Sequence, residues 1–386
     1  MRIAQVAPLH VRVPPQRYGG TERVVHALTE GLVRCGHQIT LFAAGGSHTT
    51  AELHATTPRP LWQMELGDPL AYRVLQVEEL VRRSGEFDLI HSHVDYLPWL
   101  AGERLRAPLL TTLHGRLDLP ELRPLLATYR NQRLVSISDA QRRPVNDLRL
   151  NWVATVHHGL DLATTFQLGI GDGGYLVFLG RISAEKDPVT AIRVAIGASM
   201  PLHIVARVDR GDQPFFESQV RPLLDHPLIH WHGELDDAAK GELLGGAAAM
   251  LVPIDWDEPF GLAFIEALAC GTPVVSRPRG ALPELLRHGE HGFLVWTEAE
   301  LVEACRSAPA LDRAACRTWA LERFSAERMV ADYERVYEAV LQSAFQLLPT
   351  PAPKYQDDPA DSALGALKGC GGHILIGEQA TRSRVP

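Results

Sequence analysis

Cysteine is scarce in this chain of 386 residues, which contains only five. Their spacing shows no paired pattern, so the sequence excludes a disulfide framework and predicts free thiols in a reducing compartment. The five residues are Cys35, Cys270, Cys305, Cys316 and Cys370.

Long hydrophobic runs are also missing. No stretch reaches the roughly 18 apolar residues that a membrane-spanning helix needs, and the apolar segment at Met1–Ala7 is too short for a signal-peptide core. We therefore expect a cytoplasmic protein without a transmembrane segment. Peripheral contact of a surface helix with a membrane is left open.

An excess of positive charge is absent, because the formal net charge is −8. Binding to a nucleic-acid backbone requires a concentrated basic surface, so no nucleic-acid partner is expected. Hydrophobic residues at 46% and charged residues at 22% are ordinary for a globular enzyme. The length exceeds that of one usual domain and predicts two.

Short apolar segments alternate with longer helical patterns along the chain, which is typical of parallel sheets built from βαβ units. The predicted fold class is α/β. In the first half the predicted strands are Ile3–Ala7, Ile39–Ala43, Leu89–His91, Leu109–Leu113, Leu134–Ser136 and Ala154–His157, and the predicted helices are Thr21–Cys35, Leu70–Arg83 and Asp139–Asp147.

Four glycines in Leu168–Gly174 interrupt this rhythm and are interpreted as a hinge between domains. The second half repeats the pattern, with a closing amphipathic helix at Ala326–Leu348. Its predicted strands are Tyr175–Leu179, Leu202–Val205, Ile229–Trp231, Met250–Pro253, Pro273–Ser276 and Phe293–Val295, and its other helices are Pro188–Ala198, Gln213–Leu224, Asp237–Gly245 and Leu262–Cys270.

Two local patterns carry less information. Gly169, Gly171 and Gly174 match G-x-G-x-x-G, but a dinucleotide fingerprint follows a strand, whereas this one precedes a strand. The Pro- and Gly-rich segment 349–386 is expected to be an irregular tail. Its Cys370–His373 could be a metal-ligand pair or the start of an added strand, although an irregular extension is the simpler interpretation.

The first chemical signal is Gly180–Lys186, where a predicted strand ends and a helix begins. Arg181 and Lys186 can converge there on one anion. Helix-terminal N–H groups and two cations together favour a diphosphate. The simpler alternative is a pair of solvated surface cations.

The second signal is the pair Glu258 and Glu266, eight positions apart. A carboxylate can accept two hydrogen bonds from neighbouring hydroxyls, so Glu266 suits a ribose diol and Glu258 suits a sugar ring. Between them, Gly261 allows close approach of a ligand. The alternatives are a carboxylate favoured by the helix dipole for Glu258 and a surface helix residue for Glu266.

Together these residues resemble the retaining glycosyltransferases of family 4, which have the GT-B fold, through nearly all of residues 1–345. The matching segments share the order in which the family carries them. They are Gly19–Arg23, His114-Gly115, Ser136–Ser138, His158–Asp161, Gly180-Arg181 with Lys186, the glutamate pair Glu258 and Glu266, and Gly271–Val275.

The resemblance implies two Rossmann-like domains that face each other across a cleft. Residues 1–166, completed by the helix 326–348, would form the acceptor domain, and residues 167–325 the domain that binds a nucleotide-sugar donor. A donor of this kind, linked to UDP or GDP, would pass a hexosyl group to a small-molecule, glycan or lipid-linked acceptor with retention of configuration. No cofactor and no metal are expected.

The family also implies roles for individual residues. Arg181 and Lys186 would neutralise the diphosphate, Glu266 would hold the ribose, and Glu258 the transferred sugar. His114 would contact that sugar, unless it only caps a helix. The same motifs assign Gly19, Gly20, Phe260, Gly261 and Leu262 to the donor site.

Some positions depart from the family pattern. Asp187-Pro188 follows the lysine where glycine is usual, and Asp187 is expected to act as the N-cap of the next helix. Arg279-Gly280 stands where Gly-Gly is common. The loops of the first domain contain no motif that identifies the acceptor. Their candidate acceptor-binding residues are His10, Arg12, Arg17, His93 and Asp95.

Rival functions remain at this point. Asp255-Trp256-Asp257 matches the Asp-x-Asp motif of metal-dependent transferases, in which a carboxylate pair can hold a divalent ion. A nucleotide-sugar epimerase or a sugar phosphorylase could use the same two-domain plan, although neither the acid/base pair of the first nor the pyridoxal lysine of the second is visible. A catalytically silent sugar-binding protein is the third alternative.

Overall fold

A computed structural model describes residues 1–16 and 19–346 of the chain. Two parallel sheets with flanking helices form the framework, so the α/β prediction is confirmed. The first sheet has the order β3-β2-β1-β4-β5-β6-β7 and the second has the order β10-β9-β8-β11-β12-β13. The strands are β1 (Arg2–Val6), β2 (Gln38–Ala44), β3 (Glu52–Thr57), β4 (Leu89–Ser92), β5 (Leu109–Thr112), β6 (Arg133–Ser136), β7 (Trp152–Thr155), β8 (Leu176–Arg181), β9 (Leu202–Arg207), β10 (Ile229–Gly233), β11 (Ala249–Leu251), β12 (Val274–Ser276) and β13 (Gly292–Leu294).

Helical segments connect the successive strands of both sheets, except β2 and β3, which a loop joins. We call the two sheets with their helices the N-terminal and C-terminal domains. The α-helices are α1 (Gly20–Arg34), α2 (Leu70–Arg83), α3 (Leu122–Thr128), α4 (Asp139–Arg142), α5 (Leu162–Thr165), α6 (Pro188–Ala198), α7 (Gln213–Phe215), α8 (Asp237–Gly246), α9 (Leu262–Ala269), α10 (Leu282–Leu285), α11 (Glu298–Ser307), α12 (Arg313–Phe324) and α13 (Ala326–Gln346).

Two predicted helices are wrong in their extent. Asp139–Asp147 is the short α4 followed by a 3₁₀ helix at Arg143–Leu148, and Gln213–Leu224 is α7 followed by a π-helical turn and a 3₁₀ turn. Pro144 and Pro222 lie inside the predicted spans. Proline has no N–H to donate to the preceding turn, so a regular α-helix does not continue through it.

The glycine-rich stretch predicted as a hinge lies along the C-terminal domain. The N–H groups of Gly169, Gly171 and Gly173 donate to the carbonyls of Cys270, Gly245 and Gly246 at 3.0 Å each. The guanidinium of Arg313 donates to the carbonyl of Gly169 at 2.9 Å. These bonds hold the stretch to the domain that it precedes.

Helix α13 returns to the N-terminal domain and packs against α1. Met329, Tyr333 and Tyr337 on its inner face are at most 1% exposed. The Tyr337 hydroxyl accepts a hydrogen bond from Gln5 on β1 at 3.1 Å. The last segment of the described chain therefore completes the first domain, as the fold prediction stated.

Four cysteines lie in the described part of the chain, and all four are free, as predicted. Burial raises the pKa of Cys270 and of Cys305 to about 12, which leaves both as inert thiols at neutral pH. Among the helices of the described ranges, none is both long enough and apolar enough to cross a bilayer. Residues 347–386, with the predicted tail and Cys370–His373, lie outside the described residues.

Candidate active site

The site-forming loops leave the carboxyl ends of the strands where the strand order reverses. In the C-terminal sheet this reversal lies between β8 and β11, and in the N-terminal sheet between β1 and β4. Crevices at such points are where open α/β sheets bind ligands. Arg181 ends β8, and the Glu258 loop follows β11.

The turn after β8 places Lys186 at the end of a 3₁₀ segment, immediately before α6. Asp187 follows with a left-handed φ of 53°, and its side chain accepts a hydrogen bond from the Thr190 N–H at 3.1 Å. Asp tolerates this conformation better than most residues, which explains how it can stand where the family usually has glycine. The predicted N-cap is confirmed.

Lys186 and Glu258 form an ion pair between Nζ and Oε2. Both side chains are largely buried, and the Trp256 indole N–H donates to the same carboxylate oxygen at 3.1 Å. The ammonium also lies 5.7 Å from the centre of the Trp256 ring. Two residues predicted from separate motifs thus meet in one corner of the fold.

Arg181 is connected to this corner through Glu185 and Arg116, whose guanidinium lies 5.3 Å from the centre of the Trp256 ring. The Arg181 guanidinium contacts Glu185 Oε2 and Asp209 Oδ2 at 3.4 Å each. The other oxygen of Glu185 accepts a hydrogen bond at 2.7 Å from Arg116, a residue of the N-terminal domain. The predicted phosphate-binding arginine is therefore part of an ionic network that spans both domains.

The loop Glu258–Leu262 is held by its backbone conformation and by the facing domain. Gly261 has a φ of 97° and is the N-cap of α9, and a Cβ there would lie 2.5 Å from the Phe264 ring. Ser138 of the N-terminal domain donates to the Pro259 carbonyl at 2.6 Å. Leu262 lies opposite Gly20, where an added Cβ would be 3.4 Å from its side chain.

Glu266 belongs to a second buried cluster and not to the Lys186 corner. Its carboxylate pairs with Arg23 of α1 and, at 3.0 Å, with Lys240 of α8. Both cations also contact Asp237, at 3.6 Å and 2.7 Å. Burial raises the pKa of Glu266, but the charges of Arg23 and Lys240 outweigh burial and hold this pKa below its ordinary value.

We expect Glu266→Gln to lower the free energy of unfolding by about 1 to 3 kcal/mol at neutral pH, because two cations lose a charged partner. A depressed carboxyl pKa adds stability that is complete above the unfolded value and disappears as pH falls through the folded value. Chemical denaturation at neutral and acidic pH would measure the difference. Glu242→Gln, an exposed change on α8, is the control, and an equal loss at both pH values would contradict a charge effect.

A cavity of about 580 Å³ adjoins this second cluster. It lies between α1 of the N-terminal domain and the loop before α8, and its lining includes Arg23, His26, Asp237 and Lys240. Its volume is in the range of small-molecule sites. The cavity therefore extends the Glu266 cluster and does not enclose the Lys186 corner.

His114 follows β5 and is hydrogen-bonded inside the N-terminal domain. Its Nε2 lies 2.8 Å from Nδ1 of His93, and its ring stacks on His158 with centres 5.1 Å apart. His158 in turn meets Phe260 edge-on at 4.8 Å. His114 is thus linked to the Glu258 loop through His158, and because its hydrogen bond goes to His93 on the β4 side and not to a helix terminus, the helix-capping alternative is wrong.

The proposed acceptor residues have different surroundings. His93 is 2% exposed and bonded through both ring nitrogens, so it supports His114 and does not face an acceptor. Asp95 is exposed and has a left-handed φ of 53°. Burial, followed by Arg73 and Arg207, lowers the pKa of His10. Arg17 lies outside the described residues.

The carboxylates of the Asp-x-Asp sequence are engaged by protein groups. Asp255 pairs with Arg279 at 3.0 Å, and Asp257 accepts a hydrogen bond from the Gly280 N–H at 3.2 Å. In the described part of the chain, no group of three or more His, Cys, Asp or Glu side chains is arranged to hold a metal ion. Arg279, which stands where the family commonly has glycine, therefore pairs with Asp255 in the loop that follows β11.

Four residues at the site were not assigned a role from the sequence. Arg23 lay within a quoted motif but had no predicted partner. Lys240, Arg116 and Trp256 carry no local signal, because their positions become meaningful only once α8 and the facing domain are in place.

Two family models match successive parts of the chain. Residues 18–164 match the family described as Glycosyltransferase Family 4, and residues 163–312 match Glycosyl transferases group 1. Phosphatidyl-myo-inositol mannosyltransferase of Mycolicibacterium smegmatis is 26% identical over 76% of this chain and 81% of that relative. D-inositol 3-phosphate glycosyltransferase of Mycolicibacterium gilvum is 30% identical over 63% of this chain and 65% of that relative.

A solved structure shares the whole architecture. Anabaena HepE in complex with UDP and glucose superimposes with a TM-score of 0.69 at 18% identity, covering 88% of this chain and 100% of that one. The likeness supports the fold, and the two family matches meet near residue 164, between the two sheets. The chain belongs to the family 4 glycosyltransferases with the GT-B fold.

Proposed function

We propose that this glycosyltransferase moves a hexosyl group from a UDP- or GDP-linked sugar to an acceptor hydroxyl, with retention of configuration and without a metal. The observation that carries the proposal is the contact of Lys186 with Glu258 at the crevice between β8 and β11, in which Arg181 ends β8. In a nucleotide-sugar donor the diphosphate is adjacent to the sugar hydroxyls. A cation can bind the diphosphate while a neighbouring carboxylate accepts hydrogen bonds from the hydroxyls.

Each group has a role that its surroundings favour. Arg181 and Lys186 would exchange their carboxylate partners for the diphosphate, since both are already held near the start of α6. Glu258 would accept hydrogen bonds from the sugar hydroxyls, and Glu266 from the ribose. The adjoining cavity of about 580 Å³ has room for a nucleoside.

The chemistry requires no protein nucleophile. The bond from the anomeric carbon to the diphosphate oxygen breaks, and the acceptor oxygen bonds to that carbon on the same face. The acceptor proton moves to the departing diphosphate. The protein holds both substrates in line and stabilises the negative charge that grows on the diphosphate.

The acceptor is proposed from the relatives. Two of them are named for inositol-containing acceptors, one of which is a lipid. Phosphatidylinositol and inositol phosphate are therefore the first acceptors to test, in addition to simple glycans.

The test is a thermal-shift screen of nucleotide-diphosphate sugars, because a ligand that binds the native state raises Tm. We expect one UDP- or GDP-linked sugar to raise Tm, and NMR of the product to show the anomeric configuration of the donor. An inverted product would reject retention, and the absence of any shift would reject the donor site. Donor hydrolysis without acceptor separates an active enzyme from a silent binding protein.

We expect EDTA to leave the rate of transfer unchanged, because Arg181 and Lys186 provide the positive charge that a metal supplies in other transferases. Initial rates before and after exhaustive chelation measure this. Added Mg²⁺ or Mn²⁺ is the control. Loss of the rate in EDTA, with recovery on adding either ion, would favour the metal-dependent alternative at Asp255 and Asp257.

A further inference from the structure

A continuous chain of buried polar groups leads from His114 through the N-terminal domain to α13. Its members other than His114 are at most 2% exposed. The successive contacts join His114 Nε2 to His93 Nδ1 (2.8 Å), His93 Nε2 to Gln5 Oε1 (2.8 Å), Gln5 Nε2 to the Tyr337 hydroxyl (3.1 Å), that hydroxyl to His91 Nδ1 (2.8 Å), His91 Nε2 to Thr112 Oγ1 (2.8 Å), and Thr112 Oγ1 to the Tyr333 hydroxyl (2.9 Å).

The Gln5 amide gives this chain a direction. Its NH₂ group donates to Tyr337, so its oxygen faces His93 and can only accept. His93 Nε2 must therefore carry a proton. In a neutral imidazole the other nitrogen is then an acceptor, so His93 Nδ1 accepts from His114 Nε2–H.

The same logic applies at the far end of the chain. The Tyr337 hydroxyl, having accepted from Gln5, still has its own proton to give to His91 Nδ1, and His91 Nε2–H then donates to Thr112. With this orientation every member donates to the next, and no two protons face each other. The proton positions between Gln5 and His114 depend only on the orientation of the Gln5 amide.

We propose that His93, oriented by Gln5, is a positioning residue that keeps His114 neutral with its proton on Nε2, so that Nδ1 accepts a hydrogen bond from a hydroxyl of the sugar donor. This inference rests on the proposed function for the identity of the ligand. The assignment of the proton to Nε2 of His114 does not depend on the proposed function.

The surroundings of His114 agree with this assignment. Its Nδ1 is buried and has no hydrogen-bond partner among the described residues. The ring is stacked at 17° on His158, which contacts Phe260 of the loop that carries Glu258. Burial lowers the pKa of His114 to about 3, so the ring is neutral at physiological pH and its unprotonated Nδ1 is an acceptor.

The experiment is ¹⁵N NMR of the histidine-labelled full chain, which distinguishes Nδ1–H from Nε2–H, with His114 identified by the loss of its signals in His114→Gln. We expect the Nε2–H form in the wild type. His93→Asn should keep it, because the side-chain oxygen of Asn can accept at the position of Nδ1. His93→Leu should lose it and weaken donor binding about threefold to tenfold, the value of one neutral hydrogen bond.

A second pair of variants deletes only one hydroxyl each, so the test does not depend on His93→Leu remaining folded. Tyr337→Phe removes the acceptor that orients Gln5, so we expect a mixture of His114 tautomers. Tyr333→Phe makes the same deletion on the same helix, at the far end of the chain, and should leave the His114 signals unchanged.

Three results would overturn the proposal. An Nδ1–H signal for wild-type His114 would reject the proton assignment, and unchanged spectra in both His93→Leu and Tyr337→Phe would reject the role of the chain. Equal donor affinity of wild type and His93→Leu would reject the contact with the sugar. Failure of the wild type to bind any donor would instead reject the proposed function, while the spectra still decide the tautomer.

Discussion

Lys186→Ala and Arg181→Ala are each expected to lower kcat by roughly 10² to 10³, the effect of deleting one group that stabilises transition-state charge. In the Lys186 corner, Lys186 pairs with Glu258 next to Trp256. Arg181 contacts Glu185 and Asp209. Charge develops on the diphosphate as the sugar leaves, and a cation fixed in advance stabilises that charge without reorganising. The loss should therefore be greater in kcat than in donor affinity.

Initial rates at saturating donor measure this effect. Arg193→Ala is a matched control, because it deletes a cation on α6 whose partner is the exposed Glu298. Near-normal turnover in both Arg181→Ala and Lys186→Ala would reject their assigned role. An equal loss in the control would show that the rate follows net charge and not position.

Gly280→Ala is expected to lower kcat by about 10²-fold, since displacing a positioning group by about 1 Å can cost that much. Gly280 has a φ of 56°, and an added Cβ would lie 2.3 Å from both the backbone N and O of Glu258. Because backbone atoms cannot move aside as a flexible side chain can, the Glu258 loop must shift. The contact of Glu258 with Lys186 would shift with it.

The matched control is Gly289→Ala. Gly289 also has a positive φ, of 82°, but an added Cβ would meet no atom within 4 Å. Both variants therefore suffer similar backbone strain, and only one moves Glu258. Comparable rates for the two, at donor concentrations that saturate each, would contradict the role of Gly280 in placing the glutamate.

The framework could be predicted because buried parallel strands are continuous apolar runs, and the strands of the second sheet were all identified. The edge strand β3, Glu52–Thr57, was missed. Its sequence is mostly polar and only its last residue is buried, so it lacks the signal of an interior strand. Helices α11 and α12 were also missed, although the Thr297–Glu300 capping box marks the start of α11.

The site was predictable where chemistry follows directly from local sequence. Lys186, Asp187 and Glu258 carry signals of this kind, and Lys186 and Glu258 meet as the motifs imply. Arg23 and Arg116 could not be assigned, because their partners Glu266 and Glu185 lie in the other domain. Such pairs depend on how two sheets face each other, which no local pattern encodes.

The return of α13 has a consequence for synthesis of the chain. The first domain is translated early, but Tyr337, which is buried in its core and accepts a hydrogen bond from Gln5, comes 332 residues after Gln5 in the chain. Until then α1 of the nascent N-terminal half has no α13 to pack against. Buried polar groups such as the Gln5 amide also lack their partners. Its final packing therefore waits for the second domain to be made, and both halves mature together.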